Sequence, residues 1–136
     1  MNKFKVLAVL IAALLLTLFG CTQTPFQEYE NFCDDMDLRA RAEDYLTKAK
    51  DGDCGDFFED ELKTYIKDIQ TFDYSDNPKA REISDYYILC ARNMLLTITH
   101  NKNGDTASAA VSYCEAEANY AEAVMIYSDF TVKRND

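Results

Sequence analysis

Tryptophan is absent from this 136-residue chain, histidine occurs once, and glycine and proline number only four and two. Each shortage excludes something. With so few chain breakers, and no stretch alternating convincingly at period two, a turn-rich β-sandwich or barrel is unsupported. A single histidine, His100, leaves little for zinc and only one candidate base for a serine or cysteine nucleophile. The five cysteines include no CxxC pair, which removes a thioredoxin-like motif and a CxxCH haem attachment. Cations are outnumbered, 14 Lys and Arg against 24 Asp and Glu, for a formal charge of −10. Nucleic acid phosphates repel such a surface, so no nucleic acid partner is expected.

What is present begins at the N-terminus. Lys3 and Lys5 precede an apolar run, Val6 to Phe19, interrupted only by Thr17, and Gly20 and Cys21 follow. A charged start, a short apolar stretch and a small residue have the layout of a secretory signal peptide. The run is shorter than the roughly 20 residues of a membrane-spanning helix. Leu18-Phe19-Gly20-Cys21 resembles the lipobox of prokaryotic lipoproteins, with Phe19 where that family usually has a smaller residue. The resemblance implies that Cys21 carries a diacylglycerol on its thiol and that residues 1–20 are removed. It also implies a lipid anchor on the extracytoplasmic side of the cell envelope. Thr22, in place of Asp, leans towards the outer membrane if the source is a Gram-negative bacterium. The expected division is a signal peptide over 1–20, a short lipidated tether over 21–24 and one helical domain over 25–136. Loss of the signal takes the formal charge to −12. Acyl chains rather than surface charge would then hold the protein at an anionic membrane.

The remaining pattern predicts an all-α fold, a small antiparallel bundle of about four helices. Thr24-Pro25-Phe26-Gln27 resembles a capping box with proline at the first helical position. The first helix runs from there towards Lys50, with Asp34, Asp35 and Asp37 where its apolar face shifts and a break can occur. After the turn 51–56, Phe58, Leu62, Tyr65, Ile69 and Phe72 make one apolar stripe. Asn77-Pro78 starts a third helix, ending near His100, on which Ile83, Tyr87, Cys90 and Met94 form a seam. The turn 101–106 precedes a fourth, whose expected inner seam is Ala107, Val111, Cys114, Ala118, Ala121 and Met125. No 34-residue self-similarity suggests helical repeats.

In an exported chain the four cysteines after Cys21 predict two disulfides. Cys90 and Cys114 lie equally far from Lys102, so a hairpin turning there would bring them face to face as a bridge. Cys33 and Cys54 have no clear pairing. A continuous first helix would hold them too far apart, leaving a folded-back helix or a swapped pairing with Cys114 and Cys90.

Few residues suggest chemistry. Asp51 to Glu61 is densely acidic, but an EF-hand frame starting at Asp51 would put Asp56 where glycine is needed and Leu62 where glutamate is needed. Those acids are better read as favourable charges at a helix N-terminus. His100 fits a helix C-terminal cap better than a base, and haem ligation by His100 and Met94 has no spacing behind it. No catalytic residue, metal or cofactor is expected. Tyr113, Tyr120 and Tyr127 recur every seven residues. They are read as half-buried flanks of the core, and alternatively as a groove for a partner. The expected role is non-catalytic binding or scaffolding by a membrane-anchored envelope lipoprotein with an envelope protein partner. The pilotins, small helical lipoproteins that chaperone secretin subunits, are similar in layout. A ligand- or metal-binding lipoprotein is the alternative, ahead of an enzyme or electron carrier.

Overall fold

Local capping starts the first helix where the sequence places it. The Thr24 hydroxyl accepts the Gln27 N–H at 3.2 Å and the Gln27 side chain accepts the Thr24 N–H at 2.9 Å. Each bond satisfies a backbone donor that the helix leaves without a partner. In the computed structural model, residues 23–135 are described. The signal stretch, the lipobox and Cys21 fall outside them. The described residues form five helices: α1 (Pro25–Asp35), α2 (Leu38–Lys50), α3 (Asp56–Ile69), α4 (Pro78–Lys102) and α5 (Thr106–Asn135).

Five helices replace the expected four because the first one breaks at the acidic cluster. Asp37 adopts a left-handed backbone, φ 49 and ψ 39, a conformation that aspartate tolerates better than most residues. The break lets α1 and α2 present different faces, burying Phe26 and Tyr29 from one and Leu38, Ala42, Tyr45, Leu46 and Ala49 from the other. The stripe on α3 is as expected, with Phe58, Leu62, Tyr65 and Ile69 buried and Phe72 half-buried. Gly55 takes the N-cap position of α3 and supplies no side-chain cap. Asn77 caps α4, its Oδ1 accepting the Ala80 N–H at 2.9 Å.

α4 is the centre of the bundle, packing against α5, α3 and α2. It buries Ala80, Ile83, Ser84, Tyr87, Ile88, Cys90, Ala91, Met94, Thr97 and Ile98. Buried hydroxyls find partners. The Tyr65 hydroxyl donates to the Leu38 carbonyl at 2.8 Å, and Ser84 Oγ lies 2.7 Å from the Tyr29 hydroxyl and 2.9 Å from that of Tyr74. Arg41 lies over the Tyr65 ring and pairs with Asp68 at 2.9 Å, tying α2 to α3.

Two expectations fail together. The inner seam of α5 is Ala109, Ser112, Ala116 and Ala123, while Ala107, Val111, Cys114, Ala118, Ala121 and Met125 are all exposed. Cys114 therefore points away from the core that holds Cys90, and no bridge joins them. The described cysteines Cys33, Cys54, Cys90 and Cys114 are all free thiols, so disulfide bracing is not part of this fold. Buried alanines let α5 approach α4 closely, and that packing does the work assigned to the bridge.

Candidate functional site

The tyrosine row lies on the border of the inner seam. Tyr113, Tyr120 and Tyr127 are partly buried against the core. Tyr120 packs its ring 6.3 Å from Tyr87 and donates its hydroxyl to Glu43 on α2. Arg39 donates to the same carboxylate at 3.0 Å. The Tyr120 and Arg39 hydrogen bonds hold the Glu43 carboxyl below its ordinary value. Tyr127 lies 6.0 Å from Phe26, ring to ring. Tyr113 donates to Glu117 at 2.9 Å, and burial, followed by that acceptor, pushes its hydroxyl up to about 12. The three rings thus meet different neighbours: Tyr120 touches α4 and α2, Tyr127 touches α1, and Tyr113 bonds within its own helix. Tyr127 and Tyr113 border separate hollows.

The exposed face of α5 is more continuous. Val111, Ala118, Met125 and Val132 recur every seven residues, with Cys114 and Ala121 between them and Ala107 before. Val111 and Val132 are 60% exposed and Met125 51%. This is the a/d spacing of a coiled-coil seam. Glu115, Glu122 and Asp129, also seven apart and exposed, run along one border, with Glu117 on the other. Ala110, Val111, Cys114, Glu115 and Ala118 line a shallow open trough on this face.

Three further hollows are defined. One of about 230 Å³ is lined by Cys33, Asp34, Arg39, Tyr87, Val124 and Tyr127. Tyr113 borders a second, about 310 Å³, with Ala49, Gly52, Thr97 and Ala109. The third, about 590 Å³, lies among the N-terminus of α1, the N-terminus of α4 and the end of α5. Phe26 and Phe130, with ring centroids 4.2 Å apart, supply aromatic surface to it.

Burial and ion pairing shift several titratable groups. Burial pushes the Cys90 thiol up to about 12, and burial pushes Cys33 as high despite its hydrogen bond to Tyr29. Neither forms the thiolate that nucleophilic chemistry uses at neutral pH. His100 Nδ1 faces Asp105 at 3.8 Å at the end of α4, whereas Met94 is fully buried in the core. The acidic segment after α2 engages the far end of α4. Lys102 Nζ lies 2.9 Å from Asp56 and 3.0 Å from Glu59. Hydrogen bonds from Lys63 and then Lys102 bring the Glu59 carboxyl down to about 2. Among the described residues, no three His, Cys, Asp or Glu side chains gather where they could hold a metal ion. Nor is any described helix long and apolar enough to cross a membrane.

Sequence reasoning overlooked Asn77 as anything more than a cap. Its Nδ2 is buried without a hydrogen-bond partner, and Asn77 lines the hollow of about 590 Å³. The class that these features define is a small all-helical bundle. No known family model, curated protein or solved structure matches the chain.

Proposed function

We propose that this protein is a lipid-anchored, non-catalytic lipoprotein of the cell envelope, and that the outward face of α5 docks a helix of an envelope partner. The observation that carries the docking half is the exposed seam of Val111, Ala118, Met125 and Val132, with alanines and Cys114 between them. Small residues in the seam allow a second helix to approach closely, and the exposed valines and methionine supply apolar area. The Glu115, Glu122 and Asp129 border selects the partner's chemistry. A second copy would set acidic border against acidic border, whereas a helix flanked by Lys or Arg would complement it. The anchoring half rests on the lipobox-like Leu18-Phe19-Gly20-Cys21. A short tether over 21–24 would keep this face near the bilayer, within reach of membrane proteins.

Photocrosslinking in native membranes tests the docking. A photoreactive residue at Ala118 should trap one partner protein, and one at Lys67 should not. Glu122→Lys with Asp129→Lys should reduce that product severalfold. Equal products from both positions, or a product containing only this chain, would refute the basic-helix reading. The mass of the mature chain tests the anchor separately, since an unmodified Cys21 removes the lipid while leaving the docking result to stand alone. A small-ligand-binding lipoprotein is the second reading, favoured by the hollow beside the unpaired Asn77 amide.

A further inference from the structure

α2 and α4 end in the same way. After α4, Gly104 takes φ 77, its N–H donates to the Asn101 carbonyl at 3.0 Å, and the Asp105 N–H donates to the His100 carbonyl at 2.9 Å. After α2, Gly52 takes φ 81, its N–H donates to Ala49 at 3.2 Å, and the Asp53 N–H donates to Lys48 at 3.0 Å. Both are Schellman caps, in which a left-handed glycine lets two N–H groups close on the last carbonyls of the helix. They differ in the residue before the glycine, Asp51 in one and Asn103 in the other. That difference is chemical. The backbone nitrogen of the next residue can attack an asparagine amide through a five-membered ring, and glycine, lacking a Cβ, obstructs the approach least. Asn103 is the only asparagine of the chain followed by glycine. Both residues are exposed, and nothing lies within 4 Å of where a Cβ on Gly104 would stand. Asn77 is buried and precedes Pro78, whose nitrogen carries no proton. Asn31, Asn93, Asn101 and Asn119 lie within helices and precede larger residues.

We propose that Asn103 is a spontaneous deamidation site whose product opens the α4–α5 turn. The Gly104 nitrogen gives up its proton and bonds to Asn103 Cγ, the Cγ–Nδ2 bond breaks, and ammonia leaves with that proton. Water then opens the cyclic imide. Cleavage at Cγ yields aspartate. Cleavage at the main-chain carbonyl yields isoaspartate, with the backbone rerouted through the side chain. The cap sets the rate. Asn103 has ψ −1 and the Gly104 N–H is held by Asn101, so the ring closes only when the last turn of α4 frays. Aspartate reproduces the Asp51 cap, whereas isoaspartate lengthens the backbone between α4 and α5 and disrupts both cap bonds. The site requires neither partner docking nor the lipid anchor.

The test ages the full purified chain at pH 8 and at pH 6 and maps its peptides by mass. Acid should accumulate at Asn103 ahead of every other asparagine, severalfold faster at pH 8, because the attacking nitrogen must lose its proton. Unfolding in urea should speed the reaction severalfold further by removing the cap. Aged protein in which fragmentation reads isoaspartate at 103 should melt below fresh protein, whereas Asn103→Asp should melt close to it. Asn103→Gln, which would need a six-membered ring, should keep its amide. Absence of acid at 103, acid arising as fast at Asn101 or Asn119, or a rate indifferent to urea overturns the proposal. So does isoaspartate-containing protein that melts with the fresh chain.

Discussion

Two faces of α5 carry the same seven-residue rhythm and have opposite fates. Ala109, Ala116 and Ala123 are buried, whereas Val111, Ala118 and Met125 face outward. The larger apolar side chains are on the outside. Packing chose the seam that lets two long helices come close, with tyrosines at its border to fill the space beside the alanines. Hydrophobicity read one residue at a time favours the other seam. A helix interface therefore depends on shape as well as apolar content, and the rejected seam is left free for another occupant.

The strongest test of that difference makes one change on each side. Ala116→Leu inserts extra methylenes into the α4–α5 interface and should cost about 1–3 kcal/mol. That lowers the melting temperature by several degrees or more in a domain of this size. Ala118→Leu, two residues on and outward, should change stability by less than about 0.5 kcal/mol. Thermal denaturation of the pair checks both, and equal effects would erase the distinction.

A polar version follows with a smaller effect. Tyr65→Phe removes the buried donor to the Leu38 carbonyl and should cost about 1–2 kcal/mol, because the acceptor stays buried. Tyr113→Phe removes an exposed bond to Glu117 and should cost little. Denaturant midpoints of the two variants measure the gap.

The cysteines sharpen the contrast by reactivity. At pH 8 a thiol reagent should modify exposed Cys114 well before Cys90 or Cys33, read by peptide mass. Fold stability should also decline as pH rises from about 9 towards 12. The unfolded thiols ionise near 9, while burial keeps those of Cys33 and Cys90 protonated in the fold until about 12. The smallest effect is at acid pH. Glu59 is lowered from 4.5 to about 2, so its contribution is full above 4.5 and fades as pH falls towards 2. Lys102→Ala should flatten that part of the acid unfolding curve.

Much of the fold was legible where one residue type has one local use. The Thr24 box and the Asn77-Pro78 cap mark helix starts directly, and the α3 stripe runs four-three-four through residues that are all buried. The acidic cluster signalled a break without saying that Asp37 would take the left-handed conformation, since that depends on where α2 must pack. The α5 seam was misread because a heptad frame fits two faces of an alanine-rich helix equally well, and the Cys90–Cys114 bridge inherited that error. The tyrosine row shows the border position expected of it. Asn77 was visible only as a cap, because an unpaired amide nitrogen is a property of tertiary surroundings.

The stacked pair Phe26 and Phe130 has a kinetic consequence. α4 and α5 are joined by a short turn and can zip together locally, but this pair unites the first described helix with the last. Closing so long a loop is entropically costly and gains nothing until nearly the whole chain is in place. The Phe26–Phe130 contact should therefore be among the last to form, whereas Tyr29 can join Ser84 before α5 is in place. Because Phe26 and Phe130 are also walls of the 590 Å³ groove, separating them widens that groove at a small fraction of the free energy needed to unfold the bundle.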